Sequence, residues 1–148
     1  MKVLLVAINA KFIHSNLALR YLKGFCGKEH QVDLVEFSIN DNMERIIREI
    51  YLAKPDVVAF SCYIWNIREV LMIADTLKRV MDGCTIVLGG PEVSFDAGDV
   101  MRDNPAVDYV VVGEGEETFH ELLHVLEDNG NPGMVKGLAY RHGQEILI

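Results

Sequence analysis

Five short runs of aliphatic and β-branched residues recur along the chain: KVLLVAI (2–8), QVDLVEF (31–37), DVVAFSCY (56–63), CTIVLGG (84–90) and VDYVVVG (107–113). Each is bounded by Gly, Pro, Asp or Asn, the signature of strands. Most are apolar throughout, as strands covered by helices on both faces of a parallel sheet are. Between them lie helical stripes: Ala18, Tyr21, Leu22 and Phe25; Met43, Ile46, Ile47 and Ile50; Val70, Ala74, Leu77 and Met81; Phe119, Leu122, Leu123 and Leu126. Asp41 with Glu44 and Asn66 with Glu69 have capping-box spacing and predict two helix starts, and Gly130 predicts the end of the last helix. The segment 94–104 carries only a short helix signal. Alternating strands and helices predict an α/β, Rossmann-like (flavodoxin-like) doubly wound sheet of five parallel strands, order 2-1-3-4-5.

After Asn129 the pattern changes. NGNPG is a loop, and VKGLAYRHGQEILI reads as a β-hairpin turning near His142-Gly143. The expected organisation is therefore one compact unit over 1–130 and a loop with a β-hairpin over 131–148. The sequence stops inside the hairpin's second strand, which reads as the front part of a longer polypeptide.

Composition narrows the function classes. No apolar run approaches the ~18 residues of a membrane span, so the expectation is a soluble, cytoplasmic domain with no membrane partner. A formal charge of −8 without a Lys/Arg cluster argues against nucleic acid. Cys26, Cys62 and Cys84 are too widely spaced for a C-x-x-C site and read as reduced, packed thiols. The nucleotide, P-loop and hydrolase fingerprints G-x-G-x-x-G, G-x-x-x-x-G-K-[ST] and G-x-S-x-G do not occur. No metal site is expected: His14 reads as a solvated loop residue, and His120 and His124 share i, i+4 spacing without an evident third ligand.

In open α/β sheets ligands bind beyond the carboxyl ends of the strands. Four loops share that edge: NAKFIHSN (9–16), SCYIWN (61–66), GGPEVSF (89–95) and GEGEET (113–118). Gly89-Gly90 remove two side chains at a buried strand end, and Pro91 stops the strand. Gly113 and Gly115 flank Glu114 one strand over, and Glu116 and Glu117 crowd a helix start where negative charge is favoured. Ser61 can direct its hydroxyl into the crevice or bond local backbone. Tyr63 and Trp65 can cover an apolar ligand face or pack against a neighbouring domain.

The segments SCY (61–63), LGGPE (88–92) and VVGEGEETF (111–119), in this order on a five-stranded frame, resemble the N-terminal cobalamin-binding domain of cobalamin-dependent radical SAM proteins. The resemblance covers Met1 to about Asn129. It implies a cobalamin cofactor, with Ser61, Tyr63, Gly89 and Gly90 lining the slot for the dimethylbenzimidazole tail and Pro91 and Glu92 completing that motif. It also implies that the Gly113-Glu114-Gly115 loop passes close to the cofactor. Where the wider cobalamin-binding fold has D-x-H-x-x-G, this chain has Asn9 at the aspartate and Lys11 at the ligand histidine. The expected cobalamin therefore lacks a histidine lower ligand. The C-x-x-x-C-x-x-C of an iron-sulfur cluster is absent, so the cluster and S-adenosylmethionine are expected in a downstream radical SAM domain of a methyltransferase or related radical enzyme. The chain itself then has no catalytic residues. The competing expectation is a Rossmann-like docking domain that binds no cofactor, its crevice filled by Tyr63, Trp65 and Phe12. A flavodoxin-type binder would need a Ser/Thr/Gly-rich loop after the first strand, which NAKFIHSN supplies poorly.

Overall fold

The computed structural model describes residues 1–11 and 16–148. Phe12, Ile13, His14 and Ser15, and with them the expectations for Phe12 and His14, lie outside the described residues. Strands β1 (Lys2–Asn9), β2 (Gln31–Ser38), β3 (Val57–Ser61), β4 (Thr85–Gly89) and β5 (Tyr109–Val111) pair in parallel, in the order β2-β1-β3-β4-β5. This is the order expected from the β-α alternation.

The hairpin does more than follow the sheet. Strands β6 (Leu138–His142) and β7 (Glu145–Leu147) pair antiparallel to β5 and to each other, giving one seven-stranded sheet. Arg141 fixes this edge: its guanidinium donates to the carbonyls of Met101, Asn104 and Val107 at 2.7–3.2 Å. A forked donor meets three carbonyls that a lysine ammonium cannot reach together. Arg141→Lys is expected to cost about 1–3 kcal/mol, read as a lower midpoint in urea unfolding.

Side-chain alternation splits the core into two layers. On one face Leu4, Val6, Ile8, Val58, Phe60, Ile86 and Leu88 pack against helices α2 (Met43–Ala53), α3 (Ile67–Val80) and α5 (Ala97–Asp103), the last preceded by the single turn α4 (Pro91–Ser94). On the other face Val3, Leu5, Ala7, Val57, Ala59, Val87 and Val111 pack against α1 (Leu17–Cys26) and α6 (Glu116–Asp128). Helices on both faces make the sheet doubly wound, with strand order reversing at β1/β3. No described helix is long and apolar enough to cross a membrane.

Three local expectations are corrected. In α1 the buried positions are Leu19 and Cys26, with Leu22 half-buried, while Ala18, Tyr21 and Phe25 are exposed. The two stripes differ by one residue, about 100° of helix rotation, and periodicity alone does not choose between them. Helix α2 is capped by Asn42, which accepts from the Arg45 amide at 3.2 Å, because Asp41 is engaged by the Ser38 amide at 2.7 Å. Helix α6 ends on Asn129, at φ 52°, rather than on Gly130. Asparagine is the residue besides glycine that tolerates this left-handed position most readily.

A cleft between α1 and α6

The layer between the sheet and the pair α1/α6 thins towards the carboxyl ends of the strands. Along β3 the residues facing it run Val57, Ala59, Ser61; along β4 Val87 is followed by Gly89. On the opposite face the side chains stay large up to Phe60 and Leu88. This gradient in size opens a cleft of about 350 Å³ on the α1/α6 face. Its floor is Ala59, Ser61, Val87, Gly89 and Val111; its walls are Ala18, Leu19 and Leu22 from α1 and Glu116 and Phe119 from α6; its mouth carries Tyr63, Gly90, Pro91, Gly113, Glu114 and Gly115. The volume lies at the small end of small-molecule sites. It suits a flat arm of a ligand rather than a whole macrocycle.

Ser61 is buried, and its hydroxyl has no hydrogen-bond partner among the described residues. An unpaired hydroxyl on an otherwise apolar floor is a ready donor for a ligand. The glycines divide into two kinds. A Cβ on Gly89 would point into the cleft and meet only Val111, at 3.8 Å, an ordinary contact. A Cβ on Gly90 would lie 2.5 Å from the Cys62 carbonyl oxygen, and Gly90 holds φ +101°. Gly90 is thus required by the approach of the β3 and β4 ends to each other, where the Cys62 amide also donates to the Gly89 carbonyl at 2.7 Å. The sequence reading of both glycines as removed bulk holds for Gly89; at Gly90 the backbone demands it. Gly90→Ala is expected to cost about 2–4 kcal/mol in global stability, checked by thermal unfolding.

The Gly113-Glu114-Gly115 loop has a similar division of labour. Gly113 sits at φ +81° with open space around it, and Gly115 caps α6 at φ −103°. Glu114 is exposed at the cleft mouth. Ser94 ties this loop to the β4 loop, its hydroxyl donating to the Gly90 carbonyl at 2.8 Å and accepting from the Gly113 amide at 3.2 Å.

Tyr63 and Trp65 stack on each other, centroids 4.4 Å apart and planes 3° from parallel. The Trp65 indole N–H donates to the Ile8 carbonyl at 3.2 Å. The pair therefore stands over the end of β1, with Tyr63 at the cleft mouth and Trp65 outside the cleft. It borders a second hollow of about 300 Å³ with Asn9, Ala10, Asn16, Leu17 and Ala18. Tyr63 and Ala18 belong to both cavities. Asn9 is buried at the β1 end, Lys11 is exposed beyond it, and Glu92 is exposed outside both cavities, its amide on the Cys62 carbonyl at 3.3 Å.

Asn66 is the residue that sequence reasoning undervalued. Fully buried, it makes no cap bond of its own; its Oδ1 accepts from the Tyr63 amide at 2.8 Å, and its Nδ2 donates to the Ile8 and Ser61 carbonyls, both at 3.0 Å. One side chain thereby joins the ends of β1 and β3 to the aromatic loop. The three cysteines are free and buried, and burial pushes Cys62 up to about 12 and Cys26 and Cys84 up to about 11. They are packed thiols, not nucleophiles.

Residues 3–123 match the family described as the B12 binding domain. The chain belongs to that family. This B12-binding domain is 37% identical over 98 residues to the cobalamin-dependent radical SAM methyltransferase TokK of Streptomyces tokunonensis, covering 66% of this chain and 14% of that one. It is 30% identical over 131 residues to an uncharacterized methyltransferase of Pyrococcus horikoshii, covering 88% of this chain and 28% of the relative. Its fold superimposes on the radical S-adenosylmethionine methyltransferase TsrM of Kitasatospora setae with a TM-score of 0.82 at 20% identity, over 97% of this chain and 29% of that one. It superimposes equally well on the cobalamin-dependent S-adenosylmethionine radical enzyme OxsB, TM-score 0.80, over 99% of this chain and 21% of OxsB. The chain thus spans between 14% and 28% of the length of these curated relatives.

Proposed function

We propose that the cleft holds the nucleotide arm of a cobalamin, with the corrin ring lying over the carboxyl edge of the sheet. The one-sided narrowing of side chains at Ala59, Ser61, Val87 and Gly89 carries this reading, because it leaves an apolar slot with a free hydroxyl at its floor. Ser61 donates to the arm, Gly89 makes room for it, and Tyr63, Gly90, Pro91, Gly113, Glu114 and Gly115 form the rim. Asn9 and Lys11 would lie beside the ring at the end of β1, and with Lys11 where the wider fold carries its ligand histidine, the cobalamin would be held without a histidine from that position. Glu92 acts through the Cys62 backbone that shapes the rim.

Cobalamin supplies a cobalt centre able to carry a methyl group or an electron. The protein's share is orientation and a shielded slot. In the complete polypeptide the hairpin leads towards a radical SAM domain that holds the iron-sulfur cluster and S-adenosylmethionine, and the whole is a methyltransferase or related radical enzyme. The volume left between α1, α6 and the sheet by the described residues supports this reading over a docking domain with a filled crevice.

Trp65, the single tryptophan, stacks on the rim residue Tyr63 and reports on occupancy through it. Titration with hydroxocobalamin is expected to quench its fluorescence saturably with one site per chain. A linear, unsaturable decrease would count against the assignment.

A further inference from the structure

We propose a second, independent site in this domain: a structural centre for zinc or a neighbouring late first-row divalent ion, ligated by His30, His120, His124 and Glu29. It corrects the expectation that these histidines lack a further ligand, and it does not depend on the cobalamin reading. Ligand atoms from all four residues lie within 4.8 Å of one another. The Nε2 atoms of His120 and His124 converge on Glu29 Oε2 at 3.3 and 2.8 Å. The three imidazoles meet edge to face, with centroids 4.7–5.7 Å apart.

His30 supplies the observation that points to an ion. Its side chain is 1% exposed, yet neither ring nitrogen has a hydrogen-bond partner. An imidazole always carries at least one N–H and, when neutral, one lone pair, and burying both without partners is costly. A bound ion satisfies the lone pair. Glu127 stands 3.5 Å from Nδ1, out of hydrogen-bond geometry here but on the side where a carboxylate orients a metal-ligating imidazole. That leaves Nε2 as the ligating atom.

The local fold explains how sequence-distant residues converge. His120 and His124 are one turn apart on α6. Glu29 and His30 follow the end of α1, where their amides donate to the Cys26 carbonyl at 3.2 and 3.1 Å. Tetrahedral zinc at ~2.0–2.1 Å from each ligand needs donors about 3.3 Å apart. The exposed Glu29 and the partly exposed His124 can close that difference by side-chain rotation. Three nitrogens and one carboxylate favour zinc, copper or nickel over magnesium or calcium. Four protein ligands complete a tetrahedron, so the ion has a structural role: it staples α1 to α6, the two helices that wall the cleft.

The test uses untagged chain stripped with EDTA and reloaded with zinc alone. The expected result is one zinc per chain by elemental analysis after desalting, with Tm raised by roughly 5–10 °C at a hundredfold excess over Kd. His120→Ala and His124→Ala, both at positions that leave the buried core intact, are each expected to weaken zinc binding at least tenfold. His142→Ala, on the distant hairpin, should leave it unchanged. Absence of stoichiometric zinc in the reloaded chain overturns the proposal, as does equal binding by the His120 and His124 variants. Cobalt(II) in the cobalamin-free chain gives a further readout: tetrahedral visible bands lost in His124→Ala are expected, and an octahedral spectrum contradicts the site.

Discussion

Gly89→Leu is expected to weaken cobalamin retention at least about a hundredfold while shifting Tm by no more than ~2 °C. The added side chain points into open cleft space, where the first carbon meets Val111 at 3.8 Å, and no existing contact is removed. A hundredfold loss corresponds to about 2.7 kcal/mol, well within what steric exclusion from a preformed slot supplies. Gly89→Ala, with a single methyl in ordinary contact, should retain most of the affinity. The contrast with the neighbour is the informative part. At Gly90 the same methyl meets Cys62 backbone at 2.5 Å, so even alanine damages the fold and any loss of cofactor there is secondary. Retention that survives Gly89→Leu unchanged would place the cofactor elsewhere.

The second large effect is expected at Asn66. Asn66→Ala removes three hydrogen bonds and leaves an amide and two carbonyls without these partners at the junction of β1, β3 and the aromatic loop. Buried groups orphaned in this way cost about 1–3 kcal/mol each, with partial relief from water entering at the loop. A total of roughly 3–5 kcal/mol would lower Tm by about 8–15 °C in a domain of this size. Asn66→Asp should do little better, since a carboxylate facing the Ile8 and Ser61 carbonyls replaces two attractions by two repulsions. Thermal unfolding reads the loss of stability. Trp65 fluorescence reads the loosening of the loop, because the Ile8 carbonyl is shared by Trp65 and Asn66. A Tm shift below ~2 °C would show that water replaces Asn66 at no cost.

The frame of this domain was legible because both-face burial leaves a plain mark: strands such as Val3–Ile8 and Val57–Phe60 are apolar at every position, and their alternation with amphipathic helices selects the parallel sheet. The ends of helices were less so. Asp41 and Asn42, or Asn129 and Gly130, compete for one cap, and the winner depends on a neighbour such as the Ser38 amide. The α1 stripe misled for a different reason. Two adjacent stripes are both apolar, and only the packing of α6 decides that Leu19 and Cys26 turn inward. The hairpin announced itself as a hairpin, but its antiparallel pairing with β5, and the anchoring of Arg141 on three carbonyls 34–40 residues away, are long-range.

In the cleft, Ser61, Tyr63, Gly89, Gly90, Pro91, Gly113, Glu114 and Gly115 come together as the motif order suggested, since strand ends in one sheet must share an edge. Asn9 and Lys11 occupy the neighbouring β1 end, and Glu92 is exposed and lines neither cavity. Asn66 reads in the sequence as a helix cap, and Ser94 goes unmarked, because their work is done on backbone atoms, which leave no trace in the pattern of side-chain types. The available signal was a polar residue directly following a buried strand and its aromatic loop. The histidine cluster escaped for a related reason: His30 and His120 are 90 positions apart in sequence, and the i, i+4 pair on α6 gained its partners only when α1 packed beside it.

The most direct test of the central claim is the absorbance spectrum of the purified chain after incubation with hydroxocobalamin and desalting. The account predicts close to one cobalamin per chain co-eluting with the protein, with bands of a cobalt lacking histidine below it. A colourless, folded protein would contradict it.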